Sequence, residues 1–159
     1  FRDWEEGKYY ESVPLFYEEW DNKSSELLIA CDEEVQNICR ALPDFSLNYV
    51  KSLKEHYESP TVEAMTKKIS SIPAFKGLKT PTIEVDGKYK PDLHSRYFTA
   101  DFSFGLAIIK QIAEFAEVYT PNIDETMEWY KKIAVEKEEF RFVDYGIKDF
   151  GDFKDFYLS

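Results

Sequence analysis

Apolar residues recur at steps of three and four from Ser24 onward, at Leu27, Cys31, Val35, Ile38 and Leu42. That period lines them along one side of an α-helix. Pro43 ends it, because the residue before a proline is pushed out of the α region. A second helix is expected from about Ser46, with Val50, Leu53 and Tyr57 on one side. Ser59-Pro60 then reads as a cap and first-turn pair for a third helix running to about Ile69. The stretch SIPAFKGLKTP, residues 71–81, holds two prolines and one glycine and reads as a loop. TIEVDGKYK follows, where Asp86-Gly87 between β-prone runs signals a hairpin. Leu106, Ile109, Ala113 and Ala116 mark another helix. After Thr120-Pro121, Asn122 and Glu125 read as a capping box for a helix through Ile123, Met127, Tyr130 and Ala134.

The first 20 residues are aromatic and acidic without a clean period, and the last 20 read as a short strand or loop plus a helical turn. Neither a repeat nor an interdomain linker is visible. The expected architecture is one all-α, mostly helical domain over residues 1–159, with one short β-hairpin.

Composition narrows the partners. Of 159 residues, 43% are hydrophobic and 17% aromatic, enough for a packed core. The formal net charge is −11. Nucleic-acid phosphates and anionic membranes both need a basic footprint, so neither partner is expected. The longest apolar run near the centre, FGLAII at residues 104–109, falls far short of the ~20 residues a spanning helix needs. The start FRDWEEGKYY has no apolar signal region and no initiator methionine, so the chain is expected to be a piece of a longer, cytoplasmic protein. Cys31 and Cys39 lie eight residues apart on one helix, which is ~12 Å and too far for a disulfide. They are expected to be buried, reduced thiols.

Several chemistries lack their motifs. The six glycines stand singly at 7, 77, 87, 105, 146 and 151, and no G-x-G-x-x-G or G-x-x-x-x-G-K cradles a phosphate. No G-x-S-x-G, H-E-x-x-H or paired-cysteine motif is present, so neither a nucleophile elbow nor a metal site is expected. The acidic run Asp32-Glu33-Glu34 reads as a solvated helix face. His56 reads as a surface or edge residue. His94, two residues before Arg96, reads as a loop histidine satisfied by backbone.

One stretch stands apart. SRYFTAD, residues 95–101, sets Arg96 and Asp101 five positions apart among aromatics. On a regular helix five residues turn through roughly 140°, so the two could not share a face. They read as a structural ion pair or a helix cap, or as functional groups. An exposed ion pair is worth only ~0–1 kcal/mol, which favours function.

R-Y-x-x-x-D, followed by Phe104-Gly105-Leu106 and then Thr120-Pro121-Asn122-Ile123-Asp124, resembles the C-terminal helical domain of the opine dehydrogenases, the octopine and nopaline dehydrogenase family. Phe16-Tyr17, Asp32-Glu33, the Phe75…Gly77…Pro81 loop and Tyr145-Gly146-Ile147 resemble further landmarks in the right order. The resemblance implies an enzyme that joins an amino acid to an α-keto acid and reduces the imine with NAD(H) or NADP(H). The nucleotide would sit on an N-terminal Rossmann domain outside this chain, so no cofactor-binding residue is expected here. By the same resemblance Arg96 binds a substrate carboxylate, and Asp101 pairs with a catalytic histidine. That histidine belongs to an Asn…His-Pro segment that does not occur between Phe1 and Phe16, so it is expected upstream. Ala100 stands where relatives often carry a glutamate. A homodimer remains open.

Two other readings are weighed. One is a non-catalytic helical assembly module, drawn from the aromatic, acidic tail. The other is the helical half of another two-domain dehydrogenase acting on hydroxy acids or polyol phosphates. An upstream G-x-G-x-x-G/A followed by Asn…His-Pro would decide for the opine enzyme.

Overall fold

The computed structural model describes residues 4–135 and 138–159. Helix α1, Asn22–Ala41, is the central element. Asp21 caps it, its carboxylate accepting from the Ser24 N–H at 2.8 Å, and the chain leaves the helix at Leu42 just before Pro43. The first half of α1 buries Ile29 against Met65 and Ile69. The second half buries Ile38 and Leu42 against Ala113, while Cys31 and Val35 pack on Ala107, Ile123 and Met127. Neither cysteine forms a disulfide, and both are half-buried rather than fully buried.

The second helix is much shorter than its apolar spacing suggests. Only Leu53–His56 is helical, as α2. Ser52 and Glu55 form a reciprocal capping box there, and Asp32 of α1 accepts from the Leu53 N–H at 2.8 Å. Those bonds fix the start. The preceding residues turn instead, with Leu47 N–H bonding Phe45 O and Val50 N–H bonding Leu47 O. Helix α3, Val62–Ser70, also starts later than expected. Thr61, not Ser59, is its cap, the hydroxyl accepting from Ala64 N–H at 3.2 Å. Ser59 is buried and donates to Tyr57 O at 3.0 Å.

Strands β1, Thr82–Val85, and β2, Lys88–Pro91, form the expected antiparallel hairpin, with Val85 opposite Lys88. Asp86 at φ 51° and Gly87 at φ 77° supply the two positive φ angles that a tight two-residue turn requires. The N-terminal segment lies against this hairpin and the loop before it. Tyr10 and Tyr89 exchange two backbone hydrogen bonds, and Glu18 accepts from Gly77 N–H at 2.6 Å. A 3-10 turn, Pro73–Phe75, interrupts the loop.

Beyond the hairpin come α4, Arg96–Thr99, a π-helical turn, Asp101–Leu106, and α5, Ala107–Phe115. Then α6 covers Pro121–Ile133. The expected Asn122–Glu125 capping box does not form, because Thr120 holds the cap position and Asn122 lies inside the helix. The cap comes instead from α1. Glu34, only 5% exposed, accepts from Asn122 N–H at 2.8 Å, Asn122 Nδ2 at 2.7 Å and Ile123 N–H at 2.9 Å. The acidic run is therefore not a solvated face. Asp32 and Glu34 start two other helices, and Glu33 pairs with Lys54 at 2.7 Å.

Removing the Glu34 carboxylate strands buried donors and a helix cap, which together should cost about 3 kcal/mol. Thermal unfolding of Glu34→Ala should show Tm lowered by about 9 °C, with Glu34→Gln, which keeps one acceptor oxygen, lowered less. A Tm within about 2 °C of the parent would contradict the buried cap.

The tail is more helical than the single turn expected. After a 3-10 turn at Phe142–Tyr145, Asp149 caps α7, Phe150–Leu158. Phe142, Ile147 and Phe153 are buried together against Ile112 and Phe115 of α5. Gln111 holds the tail by its main chain, donating to Phe140 O at 2.6 Å and accepting from Phe142 N–H at 2.9 Å. Phe142, Ile147 and Phe153 thus tie the tail to its own domain, while Tyr145, Phe156, Tyr157 and Leu158 stay exposed. The fold is mostly helical with one short hairpin, and no helix among the described residues is long and apolar enough to cross a membrane.

Candidate functional site

The site grows from the segment between the hairpin and α5. Phe98 is buried and anchors α4, its ring stacked 6.1 Å from Phe102, which in turn stacks 4.4 Å from Tyr130 of α6. With that face turned inward, Arg96 and Tyr97 point outward, and Arg96 is exposed.

Helical hydrogen bonding does not break after α4. It widens by one residue, as Phe104 N–H and Gly105 N–H both donate to Ala100 O at 3.1 Å. Such π turns recur at functional sites. The turn buries Ser103, whose hydroxyl lies 3.1 Å from the Tyr130 hydroxyl and whose carbonyl accepts from Phe140 N–H at 2.7 Å. Asp101, the first residue of this turn, is exposed.

Two expectations for this stretch change. Arg96 is the first residue of a short helix. Asp101 caps nothing, since the N–H groups after it already have Ala100 O. Nor do the two charges pair. Among the described residues, neither Arg96 nor Asp101 makes a salt bridge or side-chain hydrogen bond. The ion-pair reading fails. A guanidinium and a carboxylate are both presented to solvent, on a backbone anchored by the buried Phe98 and Ser103.

Aromatic rings wall this surface. Tyr97, 40% exposed, lies 5.1 Å from Phe16. Phe16 lies 4.7 Å from Tyr17, which stacks on Phe75 at 4.1 Å and 20°. Burial raises the Tyr17 phenol above its usual pKa, and the neighbouring Tyr97, Tyr57 and Asp101 add to the effect. The sequence landmarks at 16–17, 75 and 96–101 therefore meet on one surface.

His94 and His56 are both exposed. The His94 main chain N–H donates to Asp92 at 3.1 Å, and the His56 ring lies edge-on to Tyr57 at 4.9 Å. Sequence reasoning missed the Tyr17 surroundings. The signal was the aromatic pair itself, read as a landmark without a partner. No group of three or more His, Cys, Asp or Glu among the described residues could hold a metal. A separate cleft between α5, α6 and residues 139–143 has its lysines engaged by carboxylates, Lys110 with Asp124 at 2.6 Å and Lys131 with Glu139 at 3.7 Å.

Residues 3–134 match the alpha-helical domain of a family of dehydrogenases. That family is the NAD/NADP octopine/nopaline dehydrogenases, and the chain belongs to it. It is 33% identical over 144 residues to tauropine dehydrogenase of Arabella iricolor, an alignment covering 84% of this chain and 36% of that protein. It is 29% identical over 134 residues to octopine dehydrogenase of Pecten maximus, covering 78% and 34%. A solved octopine dehydrogenase with NADH and pyruvate superposes at a TM-score of 0.71, with 31% identity, covering 80% of this chain and 33% of that one. A second, with NADH and agmatine, gives 0.71 at 28% identity, covering 80% and 34%. The chain thus spans about a third of the length of the curated relatives it matches.

Proposed function

We propose that this chain is the substrate-binding and catalytic helical domain of an NAD(P)H-dependent opine dehydrogenase-like oxidoreductase acting on CH–NH bonds. The enzyme condenses the amine of an amino acid with the carbonyl of an α-keto acid and reduces the resulting imine. One observation supports this most: Arg96 at the start of α4 and Asp101 at the start of the π turn are exposed and unpaired with any described residue, in a chain of this family. Arg96 grips a substrate carboxylate with two parallel charge-assisted bonds, which a planar guanidinium is shaped to make. Asp101 holds a histidine supplied from outside the chain in one tautomer and favours its protonated form, readying it to exchange a proton with substrate.

The residues present do not fit the nucleotide. Their positive-φ glycines, Gly7, Gly77, Gly87 and Gly146, sit singly in separate turns rather than in a phosphate-binding loop. The dinucleotide, which supplies the hydride, is assigned to an N-terminal Rossmann domain, as the relatives' greater length allows. It follows that the isolated 159-residue chain should neither bind NADH in a calorimeter nor turn over. Tight NADH binding by this chain alone would overturn the division of labour. Panels of amino acids and keto acids with the full-length enzyme identify the substrate pair.

A further inference from the structure

Tyr17 neighbours Tyr97 and Asp101, yet has no part in the chemistry proposed for Arg96 and Asp101. Its ring is held from two sides, stacked on Phe75 at 4.1 Å and tilted against Phe16 at 4.7 Å. Behind it lies the Ile29, Met65 and Ile69 cluster, so the ring is part of the packed domain rather than a swinging side chain. A ring so placed brings its hydroxyl to a fixed point at little entropic cost. Phe16, the next residue, also touches Tyr97, which adjoins Arg96. The hydroxyl makes no hydrogen bond to any described residue, although a half-buried phenol ordinarily finds a partner.

We infer that the Tyr17 hydroxyl is a further substrate-binding group, donating a hydrogen bond to the same substrate carboxylate that Arg96 grips. This rests on the reading of Arg96 given above. A carboxylate has room for the donation: its two oxygens offer about four acceptor sites, of which a forked guanidinium uses two. The donor must also tolerate Asp101. A second cation beside Arg96 would be drawn to that carboxylate and compete with substrate for it. A neutral hydroxyl adds a donor without adding charge. It stays protonated through the neutral range, since its surroundings oppose ionisation. A phenylalanine at this position would fill the same stack and lack only the donor, which makes the role separable from packing.

The test uses full-length enzyme carrying Tyr17→Phe, with Arg96→Ala in parallel. Tyr17→Phe should raise KM for the substrate whose KM Arg96→Ala raises, by about tenfold, the usual worth of a hydrogen bond to a charged group. NADH affinity and Tm should stay at parental values, because the ring contacts persist. Unchanged kinetics in Tyr17→Phe beside a raised KM in Arg96→Ala would overturn this inference alone. Unchanged KM in both variants would overturn the site reading and this inference together. A raised KM for the other substrate would also overturn it, since the two groups would then not share a carboxylate.

Discussion

In the full-length enzyme, Asp101→Asn is expected to lower kcat by about a thousandfold, the middle of the range for losing an acid–base partner, while KM for both substrates changes little. Asparagine keeps the size and polarity of the side chain, and Asp101 bonds no described residue that the change could disturb. What is lost is the negative charge. An anionic neighbour favours imidazolium, so its removal lowers the histidine pKa. The limb of the kcat–pH profile governed by that histidine should therefore move to lower pH. A structural role would lower Tm and leave the profile in place. Parental kcat with an unshifted profile would remove Asp101 from the mechanism.

Arg96→Ala should raise KM for one carboxylate substrate by about a hundredfold, from two charge-assisted bonds lost together. NADH affinity should be nearly unchanged, because the nucleotide is assigned to another domain. Arg96→Lys should recover only part of the loss: an ammonium restores the charge but not the planar fork. Arg96 is exposed and makes no ion pair with a described residue, so neither variant should shift Tm by more than about 2 °C. Collapse of NADH affinity would show that the arginine serves the nucleotide instead.

Local signals in the sequence mark some elements well. Asp86-Gly87 demands positive φ at both positions, and the hairpin forms there. The stripe Leu27, Cys31, Val35, Ile38, Leu42 and the following Pro43 bound α1 to within two residues. Glu34 was legible only in part. It sits three residues after Cys31 and four before Ile38, on the buried stripe, yet its partner lies 88 residues away at the start of α6. Reading acids by local composition put it in solvent. A carboxylate buried because a remote helix end needs a cap leaves no short-range trace.

The second helix shows the opposite error. Val50 and Leu53 kept a helical spacing, but the capping box at Ser52 and the bond from Asp32 start the helix only at Leu53. The candidate site divides the same way. Arg96 and Asp101 were visible as a motif, and their separation seemed to forbid a common helical face. The π turn that follows Ala100 carries Ser103 against Tyr130 and Phe140, contacts that no pattern within residues 95–101 encodes. The wall of Phe16, Tyr17 and Phe75 depends on bringing loop 71–81 onto the N-terminal segment, again a tertiary matter.

The most direct measurement is NADH or NADPH oxidation by the full-length enzyme, with an amino acid and an α-keto acid added singly and together. Condensation before reduction predicts oxidation only when both are present, at a rate that saturates in each. Oxidation with the keto acid alone would mark a hydroxy-acid dehydrogenase and contradict the account, and so would no oxidation with any pair across a full panel.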